Sequence, residues 1–167
     1  MSDLPCLIAD VMLGSLAKWL RILGFDTLYF RTIEDSELVR TAKQQQRVLL
    51  TRDTGIARRK GLGSLILIAS DDTFQQVKEV LAALNARSLK VILPGQSRCA
   101  ECNGELHFVD KKSVADDVPE HVFLALNSFF RCGNCGKVYW DGSHKQHIDE
   151  KIRKIIEETH WAISESD

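Results

Sequence analysis

Short apolar runs alternate with longer amphipathic stretches through the first half of the chain. Four apolar runs predict strands, and they read CLIA, DTLYF, RVLL and SLILIA. Between them, apolar residues recur every three or four positions, which predicts helices over MLGSLAKWLRILG, EDSELVRTAKQQQ and TFQQVKEVLAALN, with TGIARRKG as a short helix or turn. Strands that lack polar alternation are covered on both faces, so the pattern predicts an α/β domain with a parallel sheet and right-handed crossovers.

Acidic residues follow the predicted strands. Asp10 follows the first strand, Asp53 the third and Asp71 the fourth, while Asp35 opens the helix after the second strand. The carboxyl ends of parallel strands share one edge, where ligands bind at the point of reversed strand order. Clustered carboxylates repel one another unless a cation lies among them, and Mg²⁺ and Mn²⁺ prefer oxygen ligands. These four residues are therefore candidates for a catalytic Mg/Mn centre.

Helix capping is the alternative explanation for several of these acids. An Asp side chain can accept a backbone N–H at a helix start, and Asp35 and Asp72 both stand at predicted helix starts. Asp53 raises the same choice, because the stretch VLLTRDTG runs from a strand into a possible short helix. We expect Asp53 to be a metal ligand, with capping as its secondary task.

Positive charge is concentrated in the first half of the chain. Residues 1–95 carry 13 Lys and Arg against 10 Asp and Glu, whereas residues 96–167 carry 9 against 13. The first half is therefore the better partner for a polyanion such as RNA. The residues expected to contact phosphates surround Asp53, and they are Arg52, Arg58 and Arg59.

Two further basic residues, Lys18 and Arg21, lie on the polar stripe of the first predicted helix. A solvated helix face explains them by default, and a phosphate contact is the alternative. Both are kept as candidate nucleic-acid contacts.

The second half carries two Cys-x-x-Cys pairs. RCAEC supplies Cys99 and Cys102, RCGNC supplies Cys132 and Cys135, and 29 residues separate the pairs. Two such turns can present four thiolates to a tetrahedral structural Zn²⁺. The remaining cysteine, Cys6, is expected to pack as a small apolar side chain.

Composition around the cysteines suggests a second unit. LPGQSR, residues 93–98, contains the Pro and Gly typical of a boundary, so we expect domains at 1–95 and 96–167. The second domain should end in an amphipathic helix that docks through Ile148, Ile152, Ile155 and Ile156. His144 and His147 are expected at the surface, because four cysteines already complete a zinc site.

Membrane insertion is not expected. The sequence has no run of about 18 apolar residues, and MSDLPCLIAD lacks a basic region followed by a long apolar one. We therefore expect a cytoplasmic protein with no membrane partner.

Several separated motifs resemble one family. LIADVMLGSLAKWLRILGFDTLYF, DSELVRTAKQQQRVLLTRD, RCAEC and VPEHVFLALNSFFRCGNCGKVYWDGSHK are similar to the RNase-like domain named for the C-terminus of the Mut-seven exonucleases. The resemblance implies a three-layer PIN-like nuclease domain joined to a zinc ribbon. It also implies metal-dependent RNA cleavage, with Asp10, Asp35 and Asp53 as the acids and Asp71 as a fourth. Lys145 stands where the family pattern has Trp.

The expected function is therefore hydrolysis of RNA phosphodiester bonds. A haloacid-dehalogenase-type phosphatase is disfavoured, because it needs Asp-x-Asp after the first strand and this chain has Asp10-Val11-Met12. The alternative from another class is a non-catalytic RNA-binding or adaptor module that keeps the same fold and zinc ribbon.

Overall fold

Four short parallel strands form the sheet of the first unit. The computed structural model describes residues 4–86, 97–141 and 143–159. The strand order is β2-β1-β3-β4, for β1 (Leu7–Ala9), β2 (Thr27–Tyr29), β3 (Val48–Thr51) and β4 (Leu65–Leu67). The central strands β1 and β3 are buried along their whole length, as their continuous apolar sequence predicted.

Helices cover both faces of this sheet and make three layers. One face carries α1 (Gly14–Ile22), α4 (Thr73–Ala86) and α6 (Ser143–Thr159), and the other carries α2 (Asp35–Gln44) and the short α3 (Thr54–Ala57). Side chains alternate between the two cores along β1, because Leu7 and Ala9 face α1 and α4 whereas Ile8 faces α2 and α3. The α/β architecture with a parallel sheet is confirmed.

The second unit is a small antiparallel sheet, which we call the cysteine-rich unit (residues 97–141). Its strands β5 (Leu106–Val109), β6 (Phe129–Cys132) and β7 (Val138–Trp140) pair in sequence order, and α5 (Glu120–Ala125) packs beside them. Val114, Val118 and Phe129 form its own small core. Its four cysteines cluster and could form a zinc ribbon.

Helix α6 follows the cysteine-rich unit in sequence but packs on the first unit. Ile155 and Ile156 are buried in the core that α1 and α4 share with the sheet, and Ile152 packs against it. Lys78 of α4 forms an ion pair with Glu158. Three of the four isoleucines predicted for the apolar face therefore dock this helix on the first unit, whereas Ile148 is half-buried and lies outside that core. The predicted boundary between domains falls partly outside the described residues, since 87–96 are not among them.

Membrane crossing can be checked against the helices. None of those in the described ranges combines the length and the apolar character that crossing a bilayer requires.

A polar interface fastens the cysteine-rich unit to the start of β2. Asn103 adopts a left-handed backbone conformation with φ of 67° just after the first cysteine pair. Its side-chain oxygen accepts the backbone N–H of Thr27 at 2.9 Å, and its amide nitrogen donates to Asp26 at 2.8 Å. Arg21 completes the contact by donating to the carbonyl oxygens of Ala100, Glu101 and Thr27. One side chain from each unit therefore satisfies backbone groups of the other.

Asp26 is the charged centre of this interface. The two terminal guanidinium nitrogens of Arg47 donate to the two carboxylate oxygens of Asp26, at 2.7 and 3.3 Å. Burial alone would raise the pKa of Asp26, but hydrogen bonds from Arg47 and Asn103 outweigh it and hold the pKa below its usual value. Ionised Asp26 is therefore part of what stabilises the folded state.

We expect Asp26→Asn to lower the free energy of unfolding at pH 7 by about 2 kcal/mol, because Arg47 keeps its charge without a carboxylate partner. Since the folded pKa lies below the unfolded one, this contribution is complete above the unfolded value and is lost as pH falls through the folded value. The difference between wild type and variant should thus shrink below about pH 4. Urea unfolding at several pH values measures it.

A matched control is Glu37→Gln, which removes the exposed ion pair with Arg40 on α2. Such pairs contribute about 0.5 kcal/mol or less. Equal losses for the two variants, or a pH-independent loss for Asp26→Asn, would contradict the assigned role of Asp26.

Candidate active site and metal centre

The reversal of strand order lies between β1 and β3. β1 pairs with β2 on one side and with β3 on the other, with Ala9 opposite both Tyr29 and Leu50. Asp10 leaves β1 at its carboxyl end, so it stands at the centre of the edge where parallel sheets bind ligands. The neighbouring position on β3 is Thr51. The sheet order therefore brings Asp10 beside the Thr51-Arg52-Asp53 segment, as the sequence predicted.

Asp10 is a buried carboxylate with only 4% of its surface exposed. One oxygen accepts the backbone N–H of Val11 at 2.6 Å, and the other accepts the hydroxyl of the fully buried Thr51 at 2.7 Å. No Lys or Arg side chain pairs with Asp10 within the described ranges. A buried carboxylate without a cationic partner is costly, so Asp10 is a candidate ligand for a cation.

Asp53 caps α3. Its Oδ1 accepts the N–H groups of Gly55 and Ile56, at 2.6 and 3.3 Å. Its own backbone N–H donates to the Thr51 hydroxyl at 3.0 Å, so Thr51 links Asp53 to Asp10. Both hydrogen bonds that the Asp53 side chain makes with the described residues are therefore capping bonds, whereas the sequence predicted metal binding as its main role and capping as its secondary one. The remaining oxygen, Oδ2, makes no hydrogen bond with the described residues.

Asp35 is the first residue of α2, and its side chain makes no capping bond there. Its Oδ2 instead accepts from Arg59 at 3.1 Å, with both side chains nearly half exposed. The capping alternative does hold for Asp72, whose Oδ1 accepts the N–H of Gln75 at 2.9 Å. Asp35 is therefore available at the surface of the edge, next to the basic segment that follows α3.

The acids share an edge without converging on a single point. Within the described ranges, the only set of three or more His, Cys, Asp or Glu with ligand atoms close enough for one ion is the four cysteines. Asp71 is exposed in the connection between β4 and α4. A shared cation would need Asp10, Asp35 and Asp53 to turn their carboxylates inward, which the exposure of the last two allows.

Four basic residues flank Asp53 and α3 in the sequence. Arg58, Arg59 and Lys60 are exposed after α3, and Arg52 is half-buried. Of these side chains, Arg59 contacts one of the acids, Asp35, at 3.1 Å.

The interpretation of Arg21 as a phosphate contact does not fit the structure. Arg21 is 4% exposed, and its guanidinium donates hydrogen bonds to three carbonyl oxygens of the interface described above. Lys18 is exposed and pairs with Glu101 at 3.2 Å, so it too faces the cysteine-rich unit. Periodicity placed both residues on a polar stripe, but it could not show that a second unit covers that stripe.

The sulfur atoms of the four cysteines lie close enough together to bind one metal ion. Their sulfur atoms all lie within 4.8 Å of one another, with Cys99 and Cys135 at 3.7 Å and Cys102 and Cys132 at 3.4 Å. A Zn–S bond of about 2.3 Å gives tetrahedral sulfur separations of about 3.8 Å, so the cluster is the right size for Zn²⁺. The thiolate chemistry and the spacing therefore fit one structural zinc.

Backbone N–H groups and a glycine support the cluster. The N–H groups of Asn134 and Cys135 point at the sulfur of Cys132, at 3.4 and 3.5 Å. A Cβ on Gly104 would lie 2.7 Å from that sulfur, so only glycine fits there. Burial raises the pKa of Cys102, but hydrogen bonds from Asn134, Gly104 and the other thiols outweigh it and lower the pKa to about 6. A backbone hydrogen bond lowers the pKa of Cys135, but burial and hydrogen bonds with the other three thiols outweigh it and raise the pKa to about 12, so the four thiols lose their protons as one interacting group.

Of the two histidines after the second pair, His147 is not in the cysteine cluster. His147 is exposed and lies 3.8 Å from Glu150 on the same helix. The side chain of His144 lies outside the described residues. Cys6 is half-buried with its sulfur 3.8 Å from Asp26, away from the other cysteines.

Sequence reasoning missed two residues at the candidate active site. Thr51 was noted only as part of a motif, although it joins Asp10 to Asp53, and a buried hydroxyl at a strand end was the available signal. Phe30 was assigned only to a strand, yet it is 40% exposed at the same edge. An aromatic residue just before a basic one at a strand end could have drawn attention to it.

Comparison with known proteins bears on this arrangement. Residues 5–152 match the family described as the Mut7-C RNAse domain, which spans both units and most of α6. No curated protein and no solved structure matches the chain significantly. The family match includes the acidic edge and the cysteine cluster together. This chain belongs to the Mut7-C RNAse domain family.

Proposed function

We propose that this chain is a metal-dependent ribonuclease, with Mg²⁺ or Mn²⁺ held by Asp10, Asp35 and Asp53. The observation that carries the proposal is the burial of Asp10 at the point of strand-order reversal, without a cationic side chain as partner among the described residues. Membership of a family described as an RNase domain supports the reaction class.

The three acids suit a hard cation because each keeps coordinating capacity. Asp10 accepts one hydrogen bond at each oxygen, which leaves further lone pairs, and Asp53 keeps Oδ2 free of hydrogen bonds among the described residues. Asp35 would exchange its exposed contact with Arg59 for the metal. Asp71 is exposed beyond this group and would act at most from its margin.

A bound divalent cation would supply activation of water and stabilisation of the charge that develops on the phosphate. The chain itself orients the site. Thr51 holds the Asp10 carboxylate in place through its hydroxyl and holds the backbone of Asp53 through the same oxygen. Arg52 and Arg58 lie beside the acids and would bind the phosphates that flank the scissile bond. RNA is thus the partner that this edge suits.

A second candidate function is RNA binding without cleavage. The observation in its favour is that Asp53 caps a helix and Asp35 pairs with Arg59, so neither acid depends on a metal for its contacts. An adaptor of this kind would bind RNA through the same basic residues. It would not need Asp10 to be charged.

The acids are tested by Asp53→Asn, which caps a helix about as well as Asp but lacks the charge that a hard cation needs. We expect Mn²⁺-dependent cleavage of a short labelled RNA to fall by at least about 100-fold. The melting temperature without added Mn²⁺ should stay the same or rise, because repulsion between carboxylates is relieved. Asp10→Asn should lose activity equally.

The control is Asp72→Asn, which changes a capping acid on the other face of the sheet. It should cleave RNA at the wild-type rate. Wild-type rates for both Asp53→Asn and Asp10→Asn would instead show that this edge is not an active site, and RNA binding without cleavage would then identify the adaptor.

RNA affinity is tested by replacing Arg52, Arg58 and Arg59 together with Gln. RNA binding releases counterions in proportion to the number of phosphates that the protein neutralises, and the triple variant neutralises fewer. Affinity should therefore fall, and the slope of log affinity against log salt should flatten by up to about 2. Fluorescence anisotropy at several salt concentrations measures both quantities.

An equal change of net charge elsewhere provides the control. Arg40, Lys112 and Arg153 are exposed on α2, in the cysteine-rich unit and on α6. Their joint replacement with Gln should leave the slope nearly unchanged. If the two triple variants behave alike, the basic residues near Asp53 do not form the RNA surface.

We also propose that Cys99, Cys102, Cys132 and Cys135 bind one structural Zn²⁺. Elemental analysis of protein purified without chelator should give about one zinc per chain. Cys132→Ala should lose the metal and unfold more easily, since metal binding contributes folding free energy. Cys6→Ser should keep both the zinc and the stability, because Cys6 lies apart from the cluster. Disulfides between the pairs in the purified protein would refute the proposal.

A further inference from the structure

An exposed aromatic residue stands in the same row as Asp10. Thr51 lies opposite Leu67 on β4, Asp10 bonds to Thr51, and Phe30 is one residue beyond the pairing of Ala9 with Tyr29. Two residues earlier on each strand, Leu28, Ile8, Leu49 and Leu65 all face α2 and α3. Because side chains alternate along strands, Thr51 and Leu67 face the same way, and Asp10 joins them through its hydrogen bond to Thr51. The same alternation, extended one residue past the end of β2, assigns Phe30 to this row. Its members, in order across the sheet, are Phe30, Asp10, Thr51 and Leu67.

Apolar surface is concentrated on the β2 side of Asp10. Val11, Met12 and Phe30 are 38%, 61% and 40% exposed, although each side chain is large and hydrophobic. All three lie within two residues of Asp10 along the chain or next to it across the sheet. Grouped apolar exposure of this kind marks a binding surface more often than chance exposure does.

This apolar surface is held in a fixed position. The Tyr29 hydroxyl donates to the carbonyl oxygen of Val11 at 3.0 Å, which ties the turn after Asp10 to the end of β2. The contact requires Gly14, because a Cβ there would lie 2.8 Å from the Tyr29 hydroxyl oxygen. Phe30 follows Tyr29 directly, so the ring has a rigid base beside the candidate catalytic acid.

A positively charged residue, Arg31, follows Phe30 directly in the sequence. Arg31 is exposed and makes no hydrogen bond or ion pair with any other residue of the described ranges. It lines a surface groove together with Val11, which follows Asp10 directly in the sequence, and with Thr32, Ile33, Glu34 and Glu37. An exposed ring followed in the sequence by an available guanidinium suits a nucleobase joined to a phosphate, since the ring can stack and the guanidinium can pair with the phosphate.

We propose that Phe30, with Met12 beside Asp10, binds a nucleobase of single-stranded RNA next to the phosphate at the acidic edge. This inference rests on the proposed function and names how its substrate is held. Phosphates would lie over the basic residues on the Asp53 side, and one base would stack on the Phe30 side. A base can reach Phe30 only when it is unpaired, so the site favours single strands over duplexes.

The other exposed phenylalanine of the described residues provides a comparison. Phe108 is 66% exposed on β5 and meets Phe130 edge to face at 5.9 Å. It belongs to the cysteine-rich unit, where residues 97–141 carry five Lys and Arg against seven Asp and Glu. Phe108 also belongs to a different sheet from the one that positions Asp10, so we assign the base-binding role to Phe30.

The test uses the full chain with its zinc retained and a fluorescein-labelled, eight-nucleotide RNA, in buffer without added Mg²⁺ or Mn²⁺. Phe30→Ala should weaken binding about 5- to 20-fold, the lower part of the range for losing one stacked base. Phe30→Trp should bind at least as well as wild type, because a larger ring still stacks. Phe108→Ala should bind like wild type. Equal melting temperatures for the variants would exclude unfolding as the cause.

An abasic series makes the test specific for a base. In RNAs that each lack one base, removal at a single position should weaken wild-type binding, whereas Phe30→Ala should show no further loss at that position. Additive losses at every position, wild-type affinity for Phe30→Ala, or a loss in Phe108→Ala instead would overturn the inference.

These outcomes separate the inference from the proposed function. If Phe30→Ala binds normally while the wild type cleaves RNA with Mn²⁺, the inference fails alone. If Phe30 determines binding but no cleavage occurs, the base site stands and the nuclease proposal fails. A wild-type chain that neither binds nor cleaves RNA refutes both.

Discussion

The parallel pairing of β1 with both β2 and β3 determines where the candidate active site lies. Because β1 lies in the middle, its carboxyl end opens where the connections leave in opposite directions, and Asp10 is the residue found there. The same pairing sets Thr51 beside Asp10 and Phe30 on its other side. Acid, hydroxyl and aromatic ring therefore share a row because three strands share a register.

Electrostatic balance explains how this edge can exist before any ligand binds. The charge of Asp10 is buried and receives two hydrogen bonds, while Asp53 and Asp35 are held apart by a helix cap and by Arg59. Three unpaired carboxylates at contact distance would destabilise the fold. We infer that the cap and the ion pair keep the edge stable, and that Asp10, Asp35 and Asp53 would hold a divalent cation only after the last two change their contacts.

The cysteine-rich unit contributes to the same edge indirectly. Asn103 and Arg21 fasten it to the start of β2, and Asp26 and Arg47 reinforce that contact. At its other end β2 carries Phe30, beside Asp10. A zinc ion in the cysteine cluster would hold the turn that contains Asn103, and through it would help to position β2.

Strand and helix positions in the first unit were predictable, because continuous apolar runs and a 3.6-residue period are strong local signals. The edge placement of Asp10 and Asp53 followed from them, and the cysteine pairs were evident from spacing. The features that the sequence did not predict are tertiary contacts. No local pattern reveals that the polar stripe bearing Arg21 lies under a second unit, or that α6 packs on α4. The capping bonds of Asp53 also depend on how the chain turns after Thr51, and an Asp at a strand end suits a cap and a metal equally.

The central claim is that the edge around Asp10 binds a divalent cation. The most direct measurement is a crystal of the zinc-loaded protein soaked with Mn²⁺ and examined by anomalous scattering at the manganese edge. The account predicts manganese about 2.1 Å from an oxygen of Asp10, with Asp53 or Asp35 turned toward it. Manganese found only elsewhere, with the Asp10 carboxylate still bonded to Thr51 and Val11 alone, would contradict it.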